Sequence, residues 1–213
     1  MSTLKKLQLR LLEQSFRYSK SHLGSAFSTL PIIMEIYENF EAEDRFVLSN
    51  GHAASALYVA LEHYRGIDSN LLFREMGDHP KRDFSLGIHC STGSLGMGIT
   101  VAVGMAIASP NSRVSCLISD GECAEGSVWE SLNFISKKDV NNLRVFVNMN
   151  GWAAYDPVDS EKLERQLRAL YPLIEIRHTS TYPLDEYGLS AHYLKLNDDD
   201  YEKLREKICA QSL

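Results

Sequence analysis

Two short stretches place oxygen donors beside a glycine. Asp120-Gly121 closes the apolar run RVSCLIS, and Asn148-Met149-Asn150-Gly151 closes the apolar run NLRVFV. Either dipeptide alone is an ordinary strand-ending turn. The pair reads differently because a helical pattern, AEGSVWESLNFISKK, lies between them. A strand-helix-strand unit crosses over right-handed and sets its strands parallel. Asp120 and Asn150 then share the carboxyl edge of a sheet, the edge where open α/β sheets take ligands. Neighbouring strands would bring the two backbones to about 4.8 Å. A carboxylate and an amide oxygen at that spacing can share a hard cation such as Mg2+, which prefers oxygen and keeps sites for substrate phosphates. Gly121 lets a phosphate approach the backbone, and a helix beginning near Cys123 aims unpaired N–H groups at the same place.

Histidines supply a second kind of chemistry. His22 and His52 fall in loop or helix-start contexts, and His79 falls in the polar, glycine-bearing segment DHPKRDFSLGIHCSTGS. Imidazole donates, accepts or carries a proton near neutral pH, which suits proton transfer to and from a bound ligand. His63 and His178 lie inside an expected helix and strand and read as surface or structural residues; His89 is undecided.

The elements that must position these groups alternate along the chain. Residues 4–18 form an amphipathic helix, followed by a polar loop, YSKSHLGSAFST, and a helix opened by Pro31 that runs to about Phe40, proline being tolerated in a first turn. RFVLS is a strand, turning directly into a helix that ends at Gly66; SNLLFREMG is a short helix. LGMGITVAVGMAIA is apolar on all sides, the composition of a helix buried against a sheet or a partner. SRVSCLIS, NLRVFVNM and YPLIEIRHTS are strands separated by helices, and DDDYEKLREKICA is a final helix. The alternation predicts an α/β fold: a mainly parallel sheet flanked by helices, in a single domain over residues 1–213.

Bulk properties narrow the function. A net charge of −6 with no basic stripe opposes phosphate-backbone binding, so nucleic acid is not expected as a partner. The amino terminus lacks an uninterrupted apolar region, and no window approaches the ~18 apolar residues of a spanning helix. No membrane association is expected. Four cysteines without a C-x-x-C pair suit a reduced, cytoplasmic chain.

SDGECAEGSVWE, with Asn150 thirty residues after Asp120, resembles the thiamine diphosphate motif of transketolases, in their diphosphate-binding domain. SHLGSA, LSNGHAASALYVAL and GIHCSTGSLGMGITVAVGMAIA resemble further blocks of that family in the family's order, from about residue 15 to 158. The resemblance implies thiamine diphosphate and Mg2+ as cofactors. Asp120, the Asn150 side chain and the Trp152 carbonyl would hold the metal. His52, Gly121, Glu122, Asn150 and His192 would lie at the diphosphate, and Gly93 and Leu95 at the thiamine rings. Glu125 would face the other half of the site, carried by the partner, and His22, His52 and His79 would work in the substrate channel. Ser119 and Asn148 depart from the family's usual glycine and aspartate, and the stretch after Asn150 is shortened relative to the family.

In that family the catalytic glutamate lies on a pyrimidine-binding domain, which is expected here on a separate chain. The expectation is an amino-terminal subunit of a two-component transketolase, working with a carboxy-terminal subunit in a heterotetramer. It would transfer a two-carbon ketol unit from a ketose to an aldehyde acceptor. A different thiamine diphosphate-dependent carboligation (1-deoxy-xylulose-phosphate synthesis or branched-sugar formation) and a non-catalytic, partner-stabilising role are the alternatives.

Overall fold

The computed structural model describes residues 1–211. Helices α1 (Thr3–Arg17) and α2 (Leu23–Tyr37) precede strand β1 (Arg45–Leu48); α3 (Ala54–Arg65), α4 (Ser69–Glu75) and α5 (Met97–Ala108) lead to β2 (Val114–Ser119). Then α6 (Gly126–Lys138), β3 (Leu143–Met149), α7 (Ser160–Leu170), β4 (Glu175–His178) and α8 (Asp198–Ala210) complete the chain. The four strands form one parallel sheet in the order β1-β2-β3-β4.

Alternation along the strands divides the core in two. Phe46, Leu48, Leu117 and Phe146 face α1, α2, α3, α4 and α8, while Val47, Cys116, Ile118, Val145 and Val147 face α5, α6 and α7. Successive strand side chains point to opposite faces, and a parallel sheet needs both faces covered. The three-layer α/β/α arrangement follows.

Three expectations change. The supposed loop before Pro31 is helix from Leu23 onward, and Pro31 sits inside α2. His22 enters that helix in the left-handed conformation (φ 62°), without a side-chain cap bond. The helix after Asp120 begins at Gly126, because Gly121–Ala124 first form a 3-10 turn. Third, α5 is not enclosed on all sides: Gly98, Ile99, Ala102, Val103 and Ala106 are buried, whereas Met97, Val101 and Ile107 are exposed. A further 3-10 segment, Asp185–His192, broken at Gly188, had no periodic signal in the sequence.

Candidate active site

All four strands run toward the same edge, and hydrogen bonds continue the ladder past their ends. Ser49 N–H donates to Leu117 O at 2.8 Å, Asp120 N–H to Asn148 O at 3.0 Å and Thr179 N–H to Met149 O at 3.1 Å. The β2 and β3 tips are therefore neighbours, with Ser119 opposite Asn148. Against this edge lies a cavity of about 420 Å3. Its walls bring together His22, His52, His79, Gly93, Leu95, Gly121, Glu125, Asn150, Trp152 and His192. Asp120 lies just beneath, 2% exposed, and borders a smaller cleft shared with Gly121, Lys162 and Gln166.

On the sheet side, Asp120 accepts from Gly121 N–H at 2.9 Å and, through its other oxygen, from Gly151 N–H at 2.7 Å. Burial is the largest influence on this carboxyl and raises it to about 6, against the lowering effect of those backbone donors. No cationic side chain is among the groups acting on it. Asn150 Oδ1 accepts from Trp152 N–H at 2.9 Å, and its Nδ2 donates to Ser28 Oγ at 3.0 Å. A Cβ on Gly121 would come within 3.0 Å of Ala153 Cα and 3.5 Å of the Trp152 carbonyl oxygen. That carbonyl thus flanks the same glycine.

These groups fit a Mg2+-diphosphate. Asp120 is a buried carboxylate with unspent acceptor capacity and no protein cation to balance it. Among the described residues no three His, Cys, Asp or Glu side chains converge as a metal cage. One carboxylate, one amide oxygen and one carbonyl would leave remaining positions to phosphate and water, as Mg2+ favours.

The opposite wall is made of imidazoles. Ring centroids separate His22 from His192 by 4.3 Å, from His52 by 5.4 Å and from His79 by 6.4 Å, and His52 from His192 by 5.5 Å. His22 N–H donates to the His192 carbonyl at 2.9 Å, which ties the 3-10 segment Asp185–His192 to the start of α2. Burial, and then the neighbouring rings, lower His52 to about 3 and His22 to about 4; burial also lowers His192. Desolvated and crowded by neighbouring rings, His22 and His52 stay neutral at pH 7. Each ring then offers one donor and one acceptor. Gly93, with a φ of 157°, lets the loop pass within 3.0 Å of the His79 ring, measured from an added Cβ.

Glu122 corrects an expectation. Its side chain does not face the cavity but is fully buried. Oε1 accepts from Ser49 Oγ at 2.5 Å and Gly96 N–H at 2.6 Å, and Oε2 from Ser119 N–H at 3.4 Å. The 3-10 turn at Gly121–Ala124 rotates it inward, so it joins three loops beneath the site. Ser119 likewise spends its hydroxyl on Glu122 N–H at 3.2 Å. His89 is structural: buried, lowered to about 4 by burial, and within 3.2 Å of Phe46 N. His63 is exposed, and His178 pairs with Glu164 at 2.7 Å on the surface. Sequence reasoning missed Ser25, which lies in α2, and Ala153, Ala154, Tyr155 and Asp156 as lining residues; the only signal for the last four was Gly151, which opens their loop. It also missed Ser28 and Thr29, hidden in the supposed loop before Pro31.

Comparison with known proteins agrees with this geometry. The family model described as "Transketolase, thiamine diphosphate binding domain" matches residues 18–165, well over half of the chain. "Transketolase-like protein 2" of Mus musculus is 42% identical over 118 residues, covering 50% of this chain and 19% of that protein. An apulose-4-phosphate transketolase subunit from Phocaeicola vulgatus is 31% identical over 162 residues, 66% of this chain and 57% of that protein. The chain thus spans about a fifth of the first of these relatives and little over half of the second. A transketolase structure from Campylobacter jejuni superposes with a TM-score of 0.71 at 22% identity, over 97% of this chain and 42% of that one, which shows the fold. The chain belongs to the transketolase family, as a thiamine diphosphate-binding domain of it.

Proposed function

We propose that this chain is the amino-terminal, diphosphate-binding subunit of a two-component transketolase, moving a two-carbon ketol unit from a ketose donor to an aldehyde acceptor. The observation that carries the reading is a cavity with Gly121, Asn150 and Trp152 on one wall, Asp120 buried just behind them, and His22, His52, His79 and His192 on the other. When bound, thiamine diphosphate supplies the electron sink for breaking and re-forming the carbon–carbon bond.

The protein's own contributions divide by wall. Asp120, Asn150 Oδ1 and the Trp152 carbonyl would hold Mg2+, with the Gly121 backbone, His52 and His192 at the diphosphate. Gly93 and Leu95 would line the thiamine rings. His22 and His79 would accept from and donate to sugar hydroxyls, and can take a proton as it leaves oxygen. Glu125, exposed at the cavity rim, would meet the pyrimidine domain of a partner chain in a heterotetramer.

Two features support the need for a partner. The α5 face carrying Met97, Val101 and Ile107 is apolar and exposed, as permanent interfaces are. The Phocaeicola vulgatus relative is itself named as one subunit of its transketolase. Free cysteines, three of them buried, suit the cytoplasmic setting of this reading, and no helix among the described residues is long and apolar enough to cross a membrane. The test mixes the purified chain with a candidate pyrimidine-domain partner, thiamine diphosphate, Mg2+, ketose and aldehyde. Ketol transfer is expected only from the mixture. Robust transfer by this chain alone would overturn the two-component reading.

A further inference from the structure

Below the amide wall of the cavity, α2 crosses under the tip of β3 and meets it through hydroxyls. Ser28 Oγ accepts from Asn150 Nδ2 at 3.0 Å and from Asn148 Nδ2 at 2.9 Å, and donates its one proton to the Ser25 carbonyl at 3.1 Å. A serine hydroxyl has one donor and two acceptor positions, so all three are used. Asn148 is spent as well: its nitrogen also reaches Thr29 Oγ1 at 3.0 Å, and its oxygen accepts from Thr179 Oγ1 at 2.5 Å. Both Ser28 and Asn148 are buried, at 1% and 0% exposure. Water cannot substitute for these partners.

The consequence falls on Asn150. An amide's two ends have nearly the same shape, and only hydrogen bonding decides which is nitrogen. With Nδ2 held on Ser28, Oδ1 is left for Trp152 N–H and, through its second lone pair, for the cavity that Asn150 lines. We propose that Ser28 is a positioning residue that fixes which end of the Asn150 amide the pocket receives, and that Asn148, by donating to Ser28 where a carboxylate could not, keeps that hydroxyl an acceptor. The inference rests on the reading above in one respect: the oxygen so presented is the one that would meet Mg2+. Rotated by half a turn, the amide would offer a cation two N–H donors.

The test uses the full chain, 15N-labelled, in three forms: wild type, Ser28→Ala and Thr29→Val. The last removes an acceptor from Asn148 but none from Asn150. Side-chain amide protons of Asn150 should exchange slowly in the wild type and in Thr29→Val, and at least ten times faster in Ser28→Ala. Should Ser28→Ala not fold, Ser28→Cys, whose thiol accepts only weakly, carries the same prediction with an intermediate exchange rate. Unchanged protection of Asn150 on losing the hydroxyl would overturn the inference. In a second readout, Mg2+ is titrated in the presence of thiamine diphosphate and a candidate pyrimidine-domain partner; Ser28→Ala should weaken metal-dependent binding by about 10–100-fold, the range for residues that orient a ligand. A wild-type mixture that binds no such complex would defeat the metal reading, while the exchange rates would still decide the role of Ser28.

Discussion

The two walls of the cavity are built by opposite strategies. The sheet-side wall is compact in sequence and over-determined in structure: Asp120 and Asn150 lie at adjacent strand tips, and their oxygens and nitrogens are fixed by backbone N–H groups and by Ser28. The imidazole wall gathers residues 22, 52, 79 and 192 from four separate loops and turns, and within it His22 and His192 are tied through the backbone. The first wall is backed by a buried carboxylate on which no cationic side chain acts. In the second, burial and neighbouring rings disfavour the charged forms of His22 and His52. A parallel sheet can supply the first kind of site from one strand-helix-strand unit, whereas the second requires the whole chain to be folded.

That contrast can be broken at its joint. Glu122 ties the β1 tip, the Gly96 loop and the β2 tip together. Glu122→Ala would leave three buried donors unpaired, at about 1–3 kcal/mol for each buried group left without a partner. The summed loss should approach or exceed about 3 kcal/mol in urea denaturation. Glu122→Gln keeps the oxygen shared by Ser49 and Gly96 and should cost about 1 kcal/mol. Equal stability of Glu122→Ala and wild type would show that the loops hold themselves.

Acid should separate the walls by sign. His52 at about 3 and His22 at about 4 bind fewer protons folded than the ordinary histidine value of 6.5 implies for the unfolded chain. Their contribution to stability is complete above pH 6.5 and is lost as pH falls from there toward 4, by at most about 1.4 kcal/mol per pH unit for each ring. The partly exposed His22 should contribute less than that. Asp120, raised to about 6, acts oppositely: the folded state gains protons between about pH 6 and 4 and offsets part of the loss. His52→Gln should therefore flatten the fall of melting temperature between pH 6.5 and 4. An unchanged slope would mean that the ring is solvated. The smallest expected effect is at His178, whose ring pairs with Glu164 on the exposed edge of the sheet. His178→Gln should change stability by less than about 0.5 kcal/mol, and a larger effect would assign that surface pair a role the geometry does not give it.

What the sequence disclosed follows the same division. The identities of the two central strands and their parallel direction were legible because VSCLIS and LRVFVNM are apolar runs flanking one helical pattern. That Asp120 and Asn150 share one carboxyl edge followed from that unit; that their strands are neighbours came from the fold. The start of α2 was not legible: SHLGSAFST is rich in loop-favouring residues, and Pro31 imitates a first turn, yet Leu23, Ala26, Phe27 and Leu30 are all buried. Tertiary packing overrides local propensity there. Glu122 was misread because a residue beside Asp-Gly looks ligand-facing until the 3-10 turn is seen to rotate it inward. His192 gained its place only through a segment with no periodicity, tied by one backbone bond to His22.

The central claim is that the carboxylate of Asp120 and the amide oxygen of Asn150 jointly hold a metal-bound diphosphate. Calorimetric titration with thiamine diphosphate, with Mg2+ and with EDTA in its place, tests it on wild type and Asp120→Asn in the presence of the pyrimidine-domain partner. Binding should require Mg2+ in the wild type and fall by more than the roughly 100-fold that bounds outer-shell changes in Asp120→Asn. Equal affinity in Mg2+ and in EDTA, or an Asp120→Asn protein that binds as tightly as wild type, would contradict the account.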